Sequence, residues 1–236
     1  ADLPAQTLSY SIVGGADAAK FSINASTGAL SFVTAPDYEA PTDSGGNNVY
    51  DVTVQVSDGT LSSTQAIAVT VTPVNDNTPA ITSSATASVT ENTSAVMTVT
   101  ATDADLPAQT LSYSIVGGAD AAKFSINAST GALSFVTAPD FEVPTDAGGN
   151  NVYDVTVQVS DGTLTSTQAI AVTVTPVNDN TPTITSSATA SVAENTTAVL
   201  TVTATDADLP AQTLSYSIVG GADAAKFSIN SSTGAL

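Results

Sequence analysis

The chain has 236 residues, of which 22 are acidic and three are basic, so its formal net charge is −19. It contains no histidine and no cysteine, which excludes zinc sites of the usual kind, serine and cysteine triads, and disulfide bonds. Without a basic patch, nucleic acid and anionic membrane surfaces are not expected partners. The remaining ligands are carboxylate, amide and carbonyl oxygens, which favour Ca²⁺.

The composition nonetheless predicts a folded chain. Apolar residues make up 42% of the sequence, which is enough to fill hydrophobic cores and is unlike the composition of disordered chains. No apolar run approaches the ~18 residues that are needed to cross a bilayer, so we expect no membrane insertion in this segment.

The sequence is a tandem repeat. Ala1 and the residues after it recur at Ala104 and again at Ala207, so the period is 103 residues. Residues 1–77 differ from 104–180 at four positions, and residues 78–133 differ from 181–236 at five. We therefore expect a partial repeat at 1–77 that lacks its first strands, a complete repeat at 78–180, and a partial repeat at 181–236 that lacks its last strands.

Within the complete repeat, apolar and polar residues alternate with a period of two, which predicts β-strands. Glycine-rich turns separate the strands, and only residues 119–123 could form a single helical turn. About seven short strands in ~100 residues are typical of an all-β sandwich. The predicted strands are 81–89, 97–101, 111–115, 124–126, 133–135, 153–160 and 170–175.

Two other polar features are expected to be solvated. The outward threonines on the strands could form an ice-binding or sugar-binding ladder, but high β-propensity on a wet strand face explains them as well. Acidic residues in glycine-rich loops and on strand faces are expected to serve solubility. These are Asp17, Asp43, Asp51, Asp120, Asp146, Asp154 and Asp223.

Five acidic motifs recur in a fixed order around the junctions of the repeats. In the complete repeat they are Thr-Glu-Asn at 90–92, Asp-Ala-Asp at 103–105, Asp-Phe-Glu at 140–142, Asp-Gly at 161–162 and Asn-Asp-Asn at 178–180. Carboxylates that are crowded at one junction repel by about 1 kcal/mol per pair at 4 Å even in water. Divalent ions with 6–8 oxygen ligands would remove this repulsion and fix the geometry.

In this order the motifs resemble the calcium-binding pattern of cadherin repeats. The near-identical units, which are rich in threonine and serine and poor in basic residues, resemble the cadherin-like repeats of giant bacterial surface adhesins of the repeats-in-toxin type and of matrix fibre proteins. The resemblance covers the whole chain. It implies tandem immunoglobulin-like Greek-key β-sandwiches of about 103 residues with Ca²⁺ bound between consecutive repeats.

The resemblance also assigns ligands to two junctions. Those of the first junction are Asp37, Glu39, Asn75, Asp76, Asn77, Asp103, Asp105 and Asp161. Those of the second junction are Glu91, Asp140, Glu142, Asn178, Asp179, Asn180, Asp206 and Asp208. Asp2 and Asp58 would serve an upstream junction, and Glu194 a downstream one. The family usually has a further aspartate where this chain has Pro73 and Pro176, so two or three ions are expected at each junction.

The resulting functional hypothesis is a Ca²⁺-rigidified extender or fibre segment of an extracellular bacterial adhesin or biofilm-matrix protein, secreted or on the cell surface. Its partners would be the neighbouring repeats of the same chain, and repetition would add reach, roughly 40 Å per repeat, without adding a new site.

Two other function classes remain as alternatives. The sandwiches could bind a glycan or associate homophilically, including by strand exchange, because residues 181–206 correspond to what the first repeat lacks. A glycosidase could use paired carboxylates such as Asp140 and Glu142, but metal ligation explains better why the pair recurs. We therefore expect no enzymatic activity.

Overall fold

The computed structural model describes residues 6–236, so Asp2 lies outside the described residues. The chain is divided into two compact units. The first unit comprises the described residues up to Ala80 together with Ala101–Leu111 and Val159–Ser166, and the second comprises Ile81–Thr100, Ser112–Gln158 and Thr167–Leu236. The repeat boundaries inferred from the sequence stay a prediction.

The described residues form β-strands that are linked by turns, as the alternating pattern predicted. Their bounds are β1 Ser9–Gly14, β2 Phe21–Ile23, β3 Leu30–Phe32, β4 Val49–Ser57, β5 Ser62–Thr70, β6 Ala80–Ile81, β7 Thr86–Thr90, β8 Ala95–Thr98, β9 Ala101–Thr102, β10 Ser112–Gly117, β11 Phe124–Ile126, β12 Ala132–Phe135, β13 Val152–Ser160, β14 Thr165–Thr175, β15 Thr183–Ile184 and β16 Ala204–Thr205.

Two sheets of the central region enclose one hydrophobic core, and together they form a β-sandwich. One sheet has the order β10-β13-β14-β7 and the other has the order β11-β12-β8. Val157 and Val172 are 0% exposed in the first sheet, and Leu133 is 1% exposed in the second. All three belong to the same core cluster, which also holds Phe124 and Tyr153. The apolar faces that alternation predicted therefore meet between the sheets.

β7 and β14 run parallel in the first of these sheets. Their register places Thr86 opposite Ala171 and Thr90 opposite Thr175. The pairing continues one residue beyond β7, where the Glu91 N–H donates to the Thr175 carbonyl oxygen over 3.0 Å. Glu91 is thereby held beside the end of β14, from which the Asn-Asp-Asn segment continues.

The first unit repeats part of this arrangement. β1, β4 and β5 form a sheet in that order, and β2 pairs with β3. Phe21, Tyr50 and Val52 are its buried core residues. The Phe21 and Phe32 rings stack at a centroid distance of 4.6 Å, which matches the 4.5 Å stack of Phe124 and Phe135. Equivalent sequence positions thus occupy equivalent places in the two cores.

Two predicted strands are interrupted in the structure. The predicted strand 81–89 is split into β6 and β7, because β6 pairs with β9 whereas β7 pairs with β14. The predicted strand 97–101 is split into β8 and β9, because the Val99 N–H donates to the Gly131 carbonyl oxygen and the Thr100 carbonyl accepts from Thr82 and Ser83. Alternation continues through the second break, so the period alone could not locate it, whereas the polar run Thr82-Ser83-Ser84 interrupts the alternation at the first.

Four of the aspartates expected to be solvated are buried instead. Asp17 and Asp120 are each 4% exposed, and Asp43 and Asp146 are each 7% exposed. Asp120 Oδ1 accepts from the Ala147 N–H and its Oδ2 from the Asp154 N–H, at 2.7 and 2.9 Å. The carboxylates therefore stabilise loops by accepting main-chain donors. Asp51, Asp154 and Asp223 are exposed, as expected.

The single helical turn that was expected at residues 119–123 is present as the 3-10 turn Ala121–Lys123. Equivalent turns lie at Ala18–Lys20 and Ala224–Lys226. None of the helical segments between residues 6 and 236 is long and apolar enough to cross a membrane.

Candidate metal centres

Carboxylates converge at two places in the described part of the chain. The first cluster consists of Glu39, Asp76, Asp103, Asp105 and Asp161, all in the first unit. It contains two trios, Glu39–Asp76–Asp105 and Asp103–Asp105–Asp161, within each of which one oxygen per residue lies within 4.8 Å of the others. The second cluster is the trio Glu91, Glu142 and Asp179 in the second unit.

Strand ends position the acids of the first cluster. Asp103 directly follows β9, and Asp161 directly follows β13. Asp161 Oδ1 accepts from the Thr163 and Leu164 N–H groups at 2.6 and 2.7 Å, so the Asp-Gly turn holds this carboxylate in place.

Asp105 is the centre of the first cluster. It is 1% exposed and belongs to both trios. The Asn77 side-chain amide donates to Asp105 Oδ1 at 2.8 Å, and the Asn77 main-chain N–H donates to it at 3.1 Å. The Asn-Asp-Asn segment at residues 75–77 is thereby attached to the Asp-Ala-Asp motif.

Glu39 and Asn75 complete the surroundings of Asp105. Glu39 Oε1 accepts from the Leu106 N–H at 3.0 Å. When the Asn75 amide is oriented to donate to carboxylates, its nitrogen lies 3.3 Å from Asp105 Oδ2 and 3.2 Å from Asp161 Oδ2. Seven of the eight residues that the resemblance assigned to the first junction therefore lie together.

Glu91 is the most constrained acid of the second cluster. It is 3% exposed, and its two oxygens accept from the main-chain N–H groups of Val177 and Phe141, each at 2.7 Å. The side chain therefore joins the segment that precedes Asn178 to the Asp-Phe-Glu motif. Glu142 Oε1 accepts from the Leu209 N–H at 2.9 Å, as Glu39 does from Leu106.

Asp206 and Asp208 repeat the arrangement of Asp103 and Asp105 beside the second cluster. Asp208 is 1% exposed, and its Oδ1 accepts from the Asn180 main-chain and side-chain N–H groups at 3.0 and 2.9 Å. Asp206 Oδ1 accepts from the Asp208 N–H at 3.1 Å. Asn178 donates through its side chain to Gln212.

Besides Asp206 and Asp208, four described acids that the resemblance assigned to junctions lie outside the carboxylate trios. Asp37 and Asp140 are exposed, and each Oδ1 accepts from the N–H groups two and three residues further along the chain. Asp58 does the same with Thr60 and Leu61. Glu194 is exposed.

Gln109, Gln212 and Asn92 are not among the site residues that the sequence predicted, although Asn92 lies in the Thr-Glu-Asn motif. Gln109 and Gln212 contact the side chains of Asn75 and Asn178, and the Asn92 amide donates to Asp179 Oδ2. The glutamines follow Asp105 and Asp208 by four residues in each case. This constant spacing could have indicated that the glutamines lie near the clusters. Glutamine is common and carries no charge, however, so the spacing alone did not suggest a role.

Hydrogen bonds keep several of these carboxylates ionised. The Asn77 amide holds the pKa of Asp105 below its usual value, although burial and the charge of Asp161 oppose this effect. The Asn180 amide does the same for the pKa of Asp208. Burial raises the pKa of Asp161, but the N–H groups of Thr163 and Leu164 outweigh burial, and the net direction is downward.

The donor set fits a hard divalent cation. Asp103 Oδ2 and Asp208 Oδ2 are buried and have no hydrogen-bond partner in the described residues, and a buried carboxylate oxygen without a partner is costly. Calcium takes 6–8 oxygen ligands at 2.3–2.6 Å, with carboxylate and amide oxygens among the usual donors. The trios, the orphan oxygens and the neighbouring amides are such donors.

Parts of the chain are similar in sequence to a known domain family and to known proteins. Residues 85–175 match the family model of the cadherin domain. The chain is 34% identical to human protocadherin Fat 1 over 162 residues, which cover 65% of the chain and 3% of Fat 1. It is 37% identical to chitinase A of Pseudoalteromonas piscicida over 115 residues, which cover 48% of the chain and 13% of that protein.

The fold comparison covers nearly the whole chain. The crystal structure of mouse cadherin-23 EC22-24 superposes with a TM-score of 0.68 at 26% identity, and the match covers 97% of the chain and 74% of that structure. By contrast, the chain spans only a small fraction of the length of the curated relatives that it matches in sequence. Cadherin repeats are generally calcium-binding. Residues 85–175 are therefore similar in sequence to the cadherin domain, and the chain has a cadherin-like β-sandwich fold.

Proposed function

We propose that this chain is a Ca²⁺-rigidified extender segment of an extracellular bacterial adhesin or biofilm-matrix protein. In this role the repeats carry no receptor site of their own. They separate a terminal binding region from the cell or from the rest of the matrix, and calcium at each junction sets their stiffness. Cadherins are extracellular adhesion domains, which supports the general role.

The observation that carries the proposal is the position of Asp105. Its buried carboxylate is shared by two trios whose members come from the first repeat, the Asn-Asp-Asn segment and the second repeat. Without a cation, five carboxylates at this place repel one another. With cations bound, an ion held by Glu39, Asp76 and Asp105 would be coordinated from both sides of the junction, so its binding would restrict the motion of one repeat against the next.

The same trios suggest the number of ions. We infer that two ions would be held at the first junction, one by each trio, with Asp105 among the candidate ligands of both. Pro73 and Pro176 stand where the family usually has an aspartate, and a proline side chain offers no ligand oxygen. A third ion would therefore lack one carboxylate at each junction.

The bacterial and matrix parts of the proposal rest on the repeats and on one relative. Near-identical units such as residues 1–77 and 104–180 supply length rather than diversity. The similarity to part of a bacterial chitinase favours a microbial source. We do not assign chitinase activity to this chain, because cadherin domains are non-enzymatic adhesion domains and the match covers 13% of that protein.

Small-angle X-ray scattering of the 236-residue chain during a Ca²⁺ titration tests the mechanical role. We expect the maximum dimension to increase and the signature of flexibility to disappear as calcium is added, because the repeats should straighten and become fixed. Sodium chloride at matched ionic strength is the control, since it screens charge without coordinating the trios. Identical scattering with and without bound calcium would contradict the extender proposal.

The same samples test homophilic association. If the chains assemble by lateral contact or by strand exchange, the scattering mass will rise with protein concentration in calcium. A constant monomer mass is the result that the extender proposal predicts.

A further inference from the structure

Asn151, which lies outside the acidic clusters, holds the main chain of the Asp-Phe-Glu motif at residues 140–142. The Phe141 N–H donates to Glu91 Oε2 at 2.7 Å, and the Phe141 carbonyl oxygen accepts from Asn151 Nδ2 at 2.9 Å. Phe141 precedes Glu142, which belongs to the second cluster. The amide of Asn151 therefore fixes the peptide that carries one of the candidate ligands.

Asn151 is an unusual residue by its environment. It is 8% exposed and has a φ of 59°, a left-handed conformation that side chains other than asparagine and aspartate rarely adopt. Its Oδ1 is buried without a hydrogen-bond partner in the described residues. A buried amide oxygen without a partner costs stability, so its presence calls for an explanation. Among the residues that the structure describes, the amide nitrogen donates to the Phe141 carbonyl oxygen.

A buried carboxylate holds Asn151 in this conformation. Asp146 Oδ1 accepts from the Asn151 N–H at 3.1 Å, and Asp146 Oδ2 accepts from the Asn150 N–H at 2.9 Å. Ala147, which follows Asp146 in the chain, donates its N–H to Asp120 Oδ1. The loop that carries Asn151 is thus fixed at both ends by ionisable groups that do not belong to the second cluster.

The first unit contains the same device. Asn48 Nδ2 donates to the Tyr38 carbonyl oxygen at 2.9 Å, the Asn48 N–H donates to Asp43 Oδ1 at 3.0 Å, and Asn48 has a φ of 61°. Tyr38 precedes Glu39 as Phe141 precedes Glu142. The side chain changes from tyrosine to phenylalanine between the repeats while the asparagine is retained, as expected if the carbonyl group is what is recognised.

We propose that Asn48 and Asn151 are positioning residues for the two candidate calcium centres, each holding the glutamate of its Asp-Tyr-Glu or Asp-Phe-Glu motif in place before the ion arrives. This inference rests on the proposed function, since it concerns affinity for the same cation. Outer-shell hydrogen bonds of this kind orient ligands, and their loss typically costs 10–100-fold in metal affinity. Each asparagine acts on one cluster only.

The test uses Asn151→Gly and Asn48→Gly in the whole 236-residue chain. Glycine adopts the positive φ without strain, so the substitution removes the amide and retains the backbone conformation. Calcium binding is followed through the main-chain amide NMR signals of Asp76 for the first cluster and Asp179 for the second. Phe141→Tyr is the matched control, because it changes the side chain beside Glu142 to the residue of the first repeat.

We expect Asn151→Gly to weaken calcium binding at Asp179 by tenfold or more and to leave binding at Asp76 unchanged, with the reverse result for Asn48→Gly. Phe141→Tyr should bind as the parent chain does. Urea unfolding in a chelator separates this effect from general destabilisation. A parent chain that binds calcium and glycine variants that bind it equally well, or that lose both sites together, would overturn the positioning role. Absence of calcium binding in the parent chain would overturn the proposed function as well.

Discussion

Aspartate has two different uses in this chain, and its environment separates them. Asp105 and Asp208 are 1% exposed and lie within or beside a carboxylate cluster, whereas Asp17 and Asp120 are 4% exposed and accept main-chain N–H donors far away in sequence. The motifs around Asp105 were recognisable because five of them recur in order. The role of Asp120 was not predictable, because its donors lie 27 and 34 residues further along the chain.

Asp105→Asn should remove the ions of the first cluster and spare the second. The substitution takes one carboxylate from both trios, so calorimetric titration should show about two fewer Ca²⁺ bound per chain than the parent. Asp51→Asn is the control, because Asp51 is exposed on β4 and lies outside both clusters. Equal stoichiometry in the parent and in Asp105→Asn would contradict the shared-ligand arrangement.

The strands and turns were largely predictable, with errors where tertiary pairing overrides the local pattern. The strands at 124–126 and 153–160 were placed to within one residue, because alternation and flanking turns agree there. The separation of β6 from β7 was missed, since the polar run at 82–84 interrupts the alternation but does not show that the two parts pair with different strands. The chosen pairing depends on residues that are distant in sequence.

The sequence predicts a flexible turn at Gly118, but it does not show why the turn needs a glycine there. Gly118 has a φ of 106°, and an added Cβ would lie 2.4 Å from the Asp154 carbonyl oxygen and 2.5 Å from Val155 Cα. Gly162 has a similar φ of 104° but open space around it. A side chain at either position would therefore strain the backbone, but only a side chain at Gly118 would also clash with neighbouring atoms.

We expect Gly118→Ala to destabilise the fold by about 1–3 kcal/mol more than Gly162→Ala, because only the former forces the backbones of β10 and β13 apart. Urea unfolding in a chelator measures the difference without a contribution from calcium. Equal losses for the two variants would show that Gly118 is required for its dihedral angle alone.

At the scale of the whole chain, the high negative charge recurs in every repeat and makes neighbouring repeats repel one another at their junctions. A net charge of −19 with three lysines opposes close approach of the repeats at their junctions. Sequence predicted which acids meet at the first cluster, with the exception of Asp37, whose carboxylate turns to its own following N–H groups. It could not predict that Asp105 serves two trios, since a shared ligand is a property of three-dimensional placement.

The central claim is that calcium at these clusters stabilises the folded chain, and a thermal melt of the 236 residues tests it most directly. The melting temperature is measured in chelator and across a Ca²⁺ titration, with matched sodium chloride as the control. Each site at 100 times its dissociation constant should add about 2.7 kcal/mol to the free energy of unfolding. We predict a large rise in melting temperature that saturates with Ca²⁺ and that salt does not reproduce. An unchanged melting temperature in millimolar Ca²⁺ would contradict the account.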